Sequence, residues 1–122
     1  MDILLVDDSK TMRLLVQRAL RQAGYRDLKI GEAENGADAI EKIGKERPKL
    51  ILSDWNMPVM SGIEFLRKLR ADNIDVPFGF ITSEASKEIK TMAEGSGALF
   101  LITKPFTSED VQNALSPILG GR

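Results

Sequence analysis

The sequence predicts a doubly wound α/β domain, a parallel five-stranded sheet with helices on both faces. Five short apolar runs alternate strictly with five segments of helical periodicity, and such alternation builds a parallel sheet through right-handed crossovers. The first run, ILLV (3–6), is unbroken, as expected of a strand covered on both faces. Acidic, hydroxyl and lysine residues stand directly after the runs, at the sheet edge where ligands bind in such folds.

ILLV (3–6) is the first strand. Ser9 suits a helix N-cap, and Met12, Leu15, Val16, Ala19, Leu20 and Ala23 come next at helical spacing until Gly24 stops the helix. LKIGEA (28–33) reads as the second strand. Asn35-Gly36 marks a turn, and the next helix turns Ala37, Ile40 and Ile43 inward and ends before Pro48. LILS (50–53) is the third strand. Ser61-Gly62-Ile63-Glu64 has the form of a capping box, and Ile63, Leu66 and Leu69 give that helix its apolar face. PFGFI (77–81) is the fourth strand, succeeded by a helix near 85–94 with Ile89, Met92 and Ala93. LFLI (99–102) is the fifth, and Thr107-Ser108-Glu109-Asp110 opens a last helix carrying Val111, Ala114 and Leu115. Five such strands most naturally take the flavodoxin-like order 2-1-3-4-5, with the chain reversal between strands one and three.

At 122 residues the chain fits one domain, residues 1–122, with no linker or repeat and with no output domain expected after it. A net charge of −1 offers no field for nucleic acid. No apolar run is long enough for membrane insertion. Cysteine and histidine are both absent. The first absence fits a cytoplasmic location; the second leaves any chemistry to carboxylates, lysine and hydroxyls.

At the carboxyl ends, strand one delivers Asp7-Asp8, strand three Asp54, strand four Thr82-Ser83, and strand five Thr103-Lys104. Taken singly these are ordinary turn, cap or surface residues. Together they converge on the switch point, which unrelated turn residues have no reason to do. Three crowded carboxylates must either shift their pKa values or share a cation. An all-oxygen site with few protein ligands suits Mg²⁺ beside a phosphate. A carboxylate is already ionised, so it can act as the nucleophile that forms an aspartyl phosphate without a general base. A metal, Lys104 and the Thr82 hydroxyl would then neutralise the equatorial oxygens.

VDDS (6–9), EAENG (32–36), LILSDWNMPVMSG (50–62), TSEA (82–85) and KPF (104–106) stand in register with this pattern. Over essentially the whole chain they resemble the response-regulator receiver domain, in particular the single-domain chemotaxis regulators. The resemblance implies that Asp54 is the phosphoacceptor and that Asp8, Asp54 and the Asn56 backbone carbonyl ligate Mg²⁺, with Asp7 acting through water. It implies Thr82 and Lys104 on the phosphoryl oxygens, a cis Lys104–Pro105 bond, and tuning of autodephosphorylation by Asn56 and Glu84. Small Ser83 would leave the site open to a donor. Such a domain is not a turnover enzyme; it catalyses only its own phosphorylation and dephosphorylation. Its donor would be a histidine kinase or histidine phosphotransfer protein, its output a contact with a downstream protein such as the flagellar motor switch, and its state a monomer.

Two departures from the family pattern stand out. Ser116-Pro117 should end the last helix early, because proline lacks a donor and clashes with the preceding turn. The switch position three residues before the lysine, usually Tyr or Phe in receivers, is Leu101. Phe100 should point to the other side of the strand.

The same residues bear on other functions. A stand-alone phosphorelay intermediate or phosphate sink needs the same site. An aspartyl-phosphate hydrolase of the haloacid-dehalogenase type wants a second Asp two residues after the nucleophile, where this chain has Asn56, and a cap domain for which it has no length. A mononucleotide binder would find its phosphate repelled by three carboxylates.

Overall fold

The computed structural model describes residues 1–121. Ten elements alternate along them: β1 (Ile3–Val6), α1 (Lys10–Gln22), β2 (Ile30–Ala33), α2 (Gly36–Lys45), β3 (Leu50–Ser53), α3 (Gly62–Ala71), β4 (Phe78–Thr82), α4 (Lys87–Gly95), β5 (Phe100–Thr103) and α5 (Ser108–Leu119). All strand pairings are parallel and the order is β2-β1-β3-β4-β5. The reversal therefore falls between β1 and β3, as the sequence predicts, and a crevice opens there beyond the strand ends.

Strand pleating divides the core in two. Leu4, Val6, Ile51, Phe78 and Phe80 face α2, α3 and α4, where Ala39, Ile43, Phe65, Leu66, Leu69 and Ala93 meet them. Ile3, Leu5, Leu50, Leu52 and Ile81 face Val16 and Leu20 of α1 and Val111 and Leu115 of α5. Each fully buried aliphatic side chain stabilises by roughly 1.5–3 kcal/mol relative to exposure, so both faces of β1 and β3 anchor the acidic residues at their carboxyl ends.

The helix starts are capped as their sequences suggest. The Ser9 hydroxyl accepts from the Met12 amide at 3.2 Å. Capping boxes close at Ser61/Glu64 and at Thr107/Asp110. Asn35-Gly36 is not a free-standing turn: the Asn35 side chain caps α2 directly, accepting from the Asp38 amide at 2.9 Å.

Two expectations about packing fail. Leu15, Ala37 and Met92 are exposed, whereas Arg13 and Ala39 are buried, so the inward stripe of α1 runs through 13, 16, 19 and 20 and that of α2 through 36, 39 and 43. The early end of the last helix is also wrong: α5 continues through Pro117 to Leu119. Proline there forfeits one backbone bond, to the Asn113 carbonyl, near an end that frays in any case. Ile118 and Leu119 pack on the core. The Tyr25 hydroxyl donates to the Gly120 carbonyl and the Gly120 amide to that of Ser116, both at 2.9 Å. Tertiary contacts hold the final turn against the local preference.

Candidate functional site

Backbone pairing brings the acidic residues together before their side chains interact. The Asp7 amide donates to the Ala33 carbonyl at 3.0 Å and the Asp54 amide to that of Val6 at 2.9 Å, so the ladders extend one residue past β1 and β3. The two strand ends that carry the acids are thus tied to each other. The Ser9 amide, at the start of α1, donates to Asp7 Oδ1 at 2.9 Å. Across the site, the Trp55 amide donates to Asp54 Oδ1 at 2.7 Å. Gly62 is required nearby, because a Cβ there would lie 2.2 Å from the Asp54 carbonyl oxygen.

Asp7, Asp8 and Asp54 each present a carboxylate oxygen within 4.8 Å of the others, an arrangement that could hold a metal ion. Oxygens sharing an octahedral Mg²⁺ at about 2.1 Å lie roughly 3–4 Å apart, and rotation of the exposed Asp8 side chain would close the remaining gap. The donor set, all carboxylate oxygen and open to water on the Asp8 side, fits a hard cation that keeps part of its hydration shell.

Lys104 supplies the opposing charge. Its Nζ lies 3.5 Å from Asp7 Oδ2 and 3.5 Å from Asp54 Oδ1. The Lys104 amide donates to the Thr82 carbonyl at 2.8 Å, and the Lys104–Pro105 peptide is cis as expected. Burial raises the pKa of the Asp54 carboxyl above its ordinary value. Lys104 opposes that shift, neighbouring Asp7 adds to it, and the Trp55 amide draws it back.

The remaining expected residues lie on β4, β5 and the loops after β3 and β4. Thr82 is fully buried at the end of β4, its hydroxyl accepting from the Glu84 amide at 3.1 Å. Glu84 Oε1 in turn accepts from Asn56 Nδ2 at 2.6 Å. Leu101 pairs with Phe80 across the sheet and packs, partly buried, on the α2–α4 side. Phe100 packs on the α1/α5 side, over Gly79, where a Cβ would lie 2.1 Å from its ring. The two residues thus point to opposite faces, as strand alternation requires.

Sequence reasoning missed Arg13 and Glu32. Arg13 Nε donates to Glu32 Oε1 at 2.9 Å, while its Nη1 donates to the Asp7 carbonyl. The available signal was a charge on the inward stripe, three residues before Val16 and seven before Leu20.

A doubly wound sheet with three carboxylates and a lysine at its switch point defines the receiver class, and sequence comparison agrees. The profile described as the response regulator receiver domain matches residues 3–116, and the chain belongs to that family. It is 39% identical to the chemotaxis protein CheY1 of Helicobacter pylori over 98% of both chains. To the CheY homolog of Campylobacter jejuni it is 37% identical, over 98% of this chain and 93% of that one. The crystallised chemotaxis protein CheY4 of Vibrio cholerae superposes with a TM-score of 0.84 at 35% identity, covering 97% of this chain and 98% of the other. Among the described residues no helix is long and apolar enough to cross a membrane.

Proposed function

We propose that this receiver takes a phosphoryl group from a phosphohistidine onto Asp54 and signals by phosphorylation-dependent contact with a protein target, within chemotaxis. The observation that carries the reading is Lys104 Nζ standing 3.5 Å from both Asp54 and Asp7. It places a cation beside the acceptor while two further carboxylates remain to hold a metal. In the transfer an Asp54 carboxylate oxygen forms the new P–O bond, the P–N bond to the donor imidazole breaks, and that imidazole leaves and takes a proton. Lys104 and Thr82 donate to the phosphoryl oxygens. When bound, Mg²⁺ would lower the charge barrier between an anionic acceptor and an anionic phosphoryl group. Asp8, Asp54 and the Asn56 carbonyl would hold it, with Asp7 acting through water. Asn56 and Glu84 then set how readily water reaches the acyl phosphate.

The chain contains no histidine, so the donor is a kinase or phosphotransfer protein. The chemotaxis assignment rests on the similar proteins, which carry that role in their names. Leu101 at the switch position favours one second reading, a phosphate sink in the same system that needs no strong output.

Incubation with a small phosphoryl donor and Mg²⁺, with mass spectrometry as the readout, tests the proposal. One phosphate should appear on Asp54 and be lost within minutes to hours, and Asp8→Ala should weaken the Mg²⁺ response of Trp55 fluorescence. Steady turnover of phosphomonoesters, or labelling elsewhere, would overturn it.

A further inference from the structure

We infer that Arg13 is a positioning residue that orients the Asp7–Asp8 peptide for cation binding, with Glu32 setting the guanidinium in turn. The inference rests on the proposed metal-assisted reading of the site. Among the described residues, Arg13 and Asp7 are the two charged side chains that are buried, and arginine remains protonated even there. Its guanidinium is divided between two acceptors. Nη1 donates to the Asp7 carbonyl and Nε to Glu32 Oε1 at 2.9 Å. The Asp7 carbonyl lies beyond the end of β1, and Arg13 supplies the donor it needs there.

That carbonyl belongs to the planar peptide linking Asp7 to Asp8. Turning the plane moves both residues that carry two of the three clustered carboxylates. One edge of Asp7 is already fixed, because its amide donates to the Ala33 carbonyl at 3.0 Å. Arg13 fixes the other. Asp7 to Ala33 and Arg13 to Glu32 tie the same two-residue stretch of β2 to the acidic turn, so β2 contributes to the site without placing a side chain in it. Lysine could match the charge of Arg13 but not the two diverging donors.

Electrostatics and positioning make opposite predictions. Arg13→Gln removes a positive charge beside the acidic cluster, so charge alone would tighten Mg²⁺ binding. Loss of orientation would weaken it, by about tenfold if the effect matches that of other outer partners of metal ligands. Arg13→Lys retains the charge and should also weaken binding. Glu32→Gln, which leaves the guanidinium in place, should have a smaller effect in the same direction.

The experiment is Mg²⁺ titration of Trp55 fluorescence in the full chain and these three variants, with circular dichroism to establish folding and Asp8→Ala as reference. Weaker binding in both Arg13 variants, with the fold intact and labelling recovered at saturating Mg²⁺, is the expected result. Unchanged or tighter binding in Arg13→Gln overturns the inference, as does unfolding of both Arg13 variants, which would make the guanidinium a support of the fold. If the parent itself shows no Mg²⁺ response and no phosphorylation, the functional reading fails instead.

Discussion

Asn56 and Glu84 are hydrogen-bonded to each other, Nδ2 to Oε1 at 2.6 Å, across the mouth of the acidic cleft. Because the Glu84 amide also donates to the Thr82 hydroxyl at 3.1 Å, the loops after β3 and β4 are joined by one short network. On the proposed reading the two residues would therefore act on hydrolysis as a unit. Replacing either by alanine should open the mouth to water and shorten the phosphoryl lifetime by about fivefold, the equivalent of a hydrogen bond of roughly 1 kcal/mol. The double replacement should add little. Decay of labelled protein in the four members of this cycle measures the coupling, and effects that simply multiply would show the bond to be idle.

Asp54→Asn should abolish phosphorylation and leave the metal-free protein at least as stable as the parent at neutral pH. Burial raises the folded-state pKa of Asp54. A raised carboxyl pKa favours the protonated fold, so its stabilising contribution is complete below the unfolded-state pKa and is lost as pH rises through the folded value. Asparagine stays neutral throughout. The stability of the variant relative to the parent should therefore increase from acid to neutral pH, read as the difference between the two melting temperatures. A difference that shrinks over that range would contradict the assigned cause.

Lys104 occupies the charge position that a metal would otherwise relieve, 3.5 Å from Asp7 and from Asp54. Lys104→Met should lower stability without metal and tighten Mg²⁺ binding by roughly fivefold, on the order of 1 kcal/mol for a partly exposed charge. Phosphorylation at saturating Mg²⁺ should nonetheless slow, because the donor proposed for the phosphoryl group would be gone. Trp55 fluorescence and mass spectrometry track the two effects separately, and parallel changes in both would refute the division of roles.

The loop carrying Asn56 is held in an unfavourable conformation a few residues further on. Val59 has φ of 71° and is 82% exposed, a left-handed geometry that costs a β-branched residue about 1–2 kcal/mol. Val59→Asn should recover about 1 kcal/mol, a rise of a few degrees in melting temperature for a domain of this size. Thermal unfolding decides it, since Val59 has little buried area to lose.

The strand ends were legible in the sequence because chemistry and topology coincide there. ILLV and LILS are short apolar rods, and the acidic residue at the carboxyl end of each must lie at the switch point. Arg13 was not legible, because its role depends on a backbone carbonyl and a β2 carboxylate that only the folded chain brings near it. Pro117 misleads for a related reason. Local propensity argues for a break, but Ile118, Leu119 and the Tyr25 bond to Gly120 are long-range contacts. The Asn56–Glu84 bond, 28 residues apart in sequence, likewise forms only when the two loops meet.

Leu101 should make the response to phosphorylation shallower than an aromatic residue would. Its side chain packs on the α2–α4 face beside a small cavity of about 110 Å³ that Lys90, Ala93, Glu94, Ala98 and Phe100 also border. A leucine there can shift but has no ring to swing between the interior and the surface. Phe100 cannot substitute, since it is seated over Gly79 on the opposite face. Movement of Thr82 toward a phosphoryl group would therefore reach α4 only through the backbone of the β4–α4 loop, in which the Glu84 amide is already bonded to Thr82. Leu101→Tyr places a ring next to the cavity, where it has room to enter and a hydroxyl to bring in or leave in water. Amide hydrogen exchange of α4 and β5, with and without a beryllium fluoride mimic of the phosphoryl group, should change only modestly in the parent and several-fold more in Leu101→Tyr. A parent that already shows the full change, with nothing added by tyrosine, would mean that the backbone path alone is sufficient and that Leu101 is simply a packing residue.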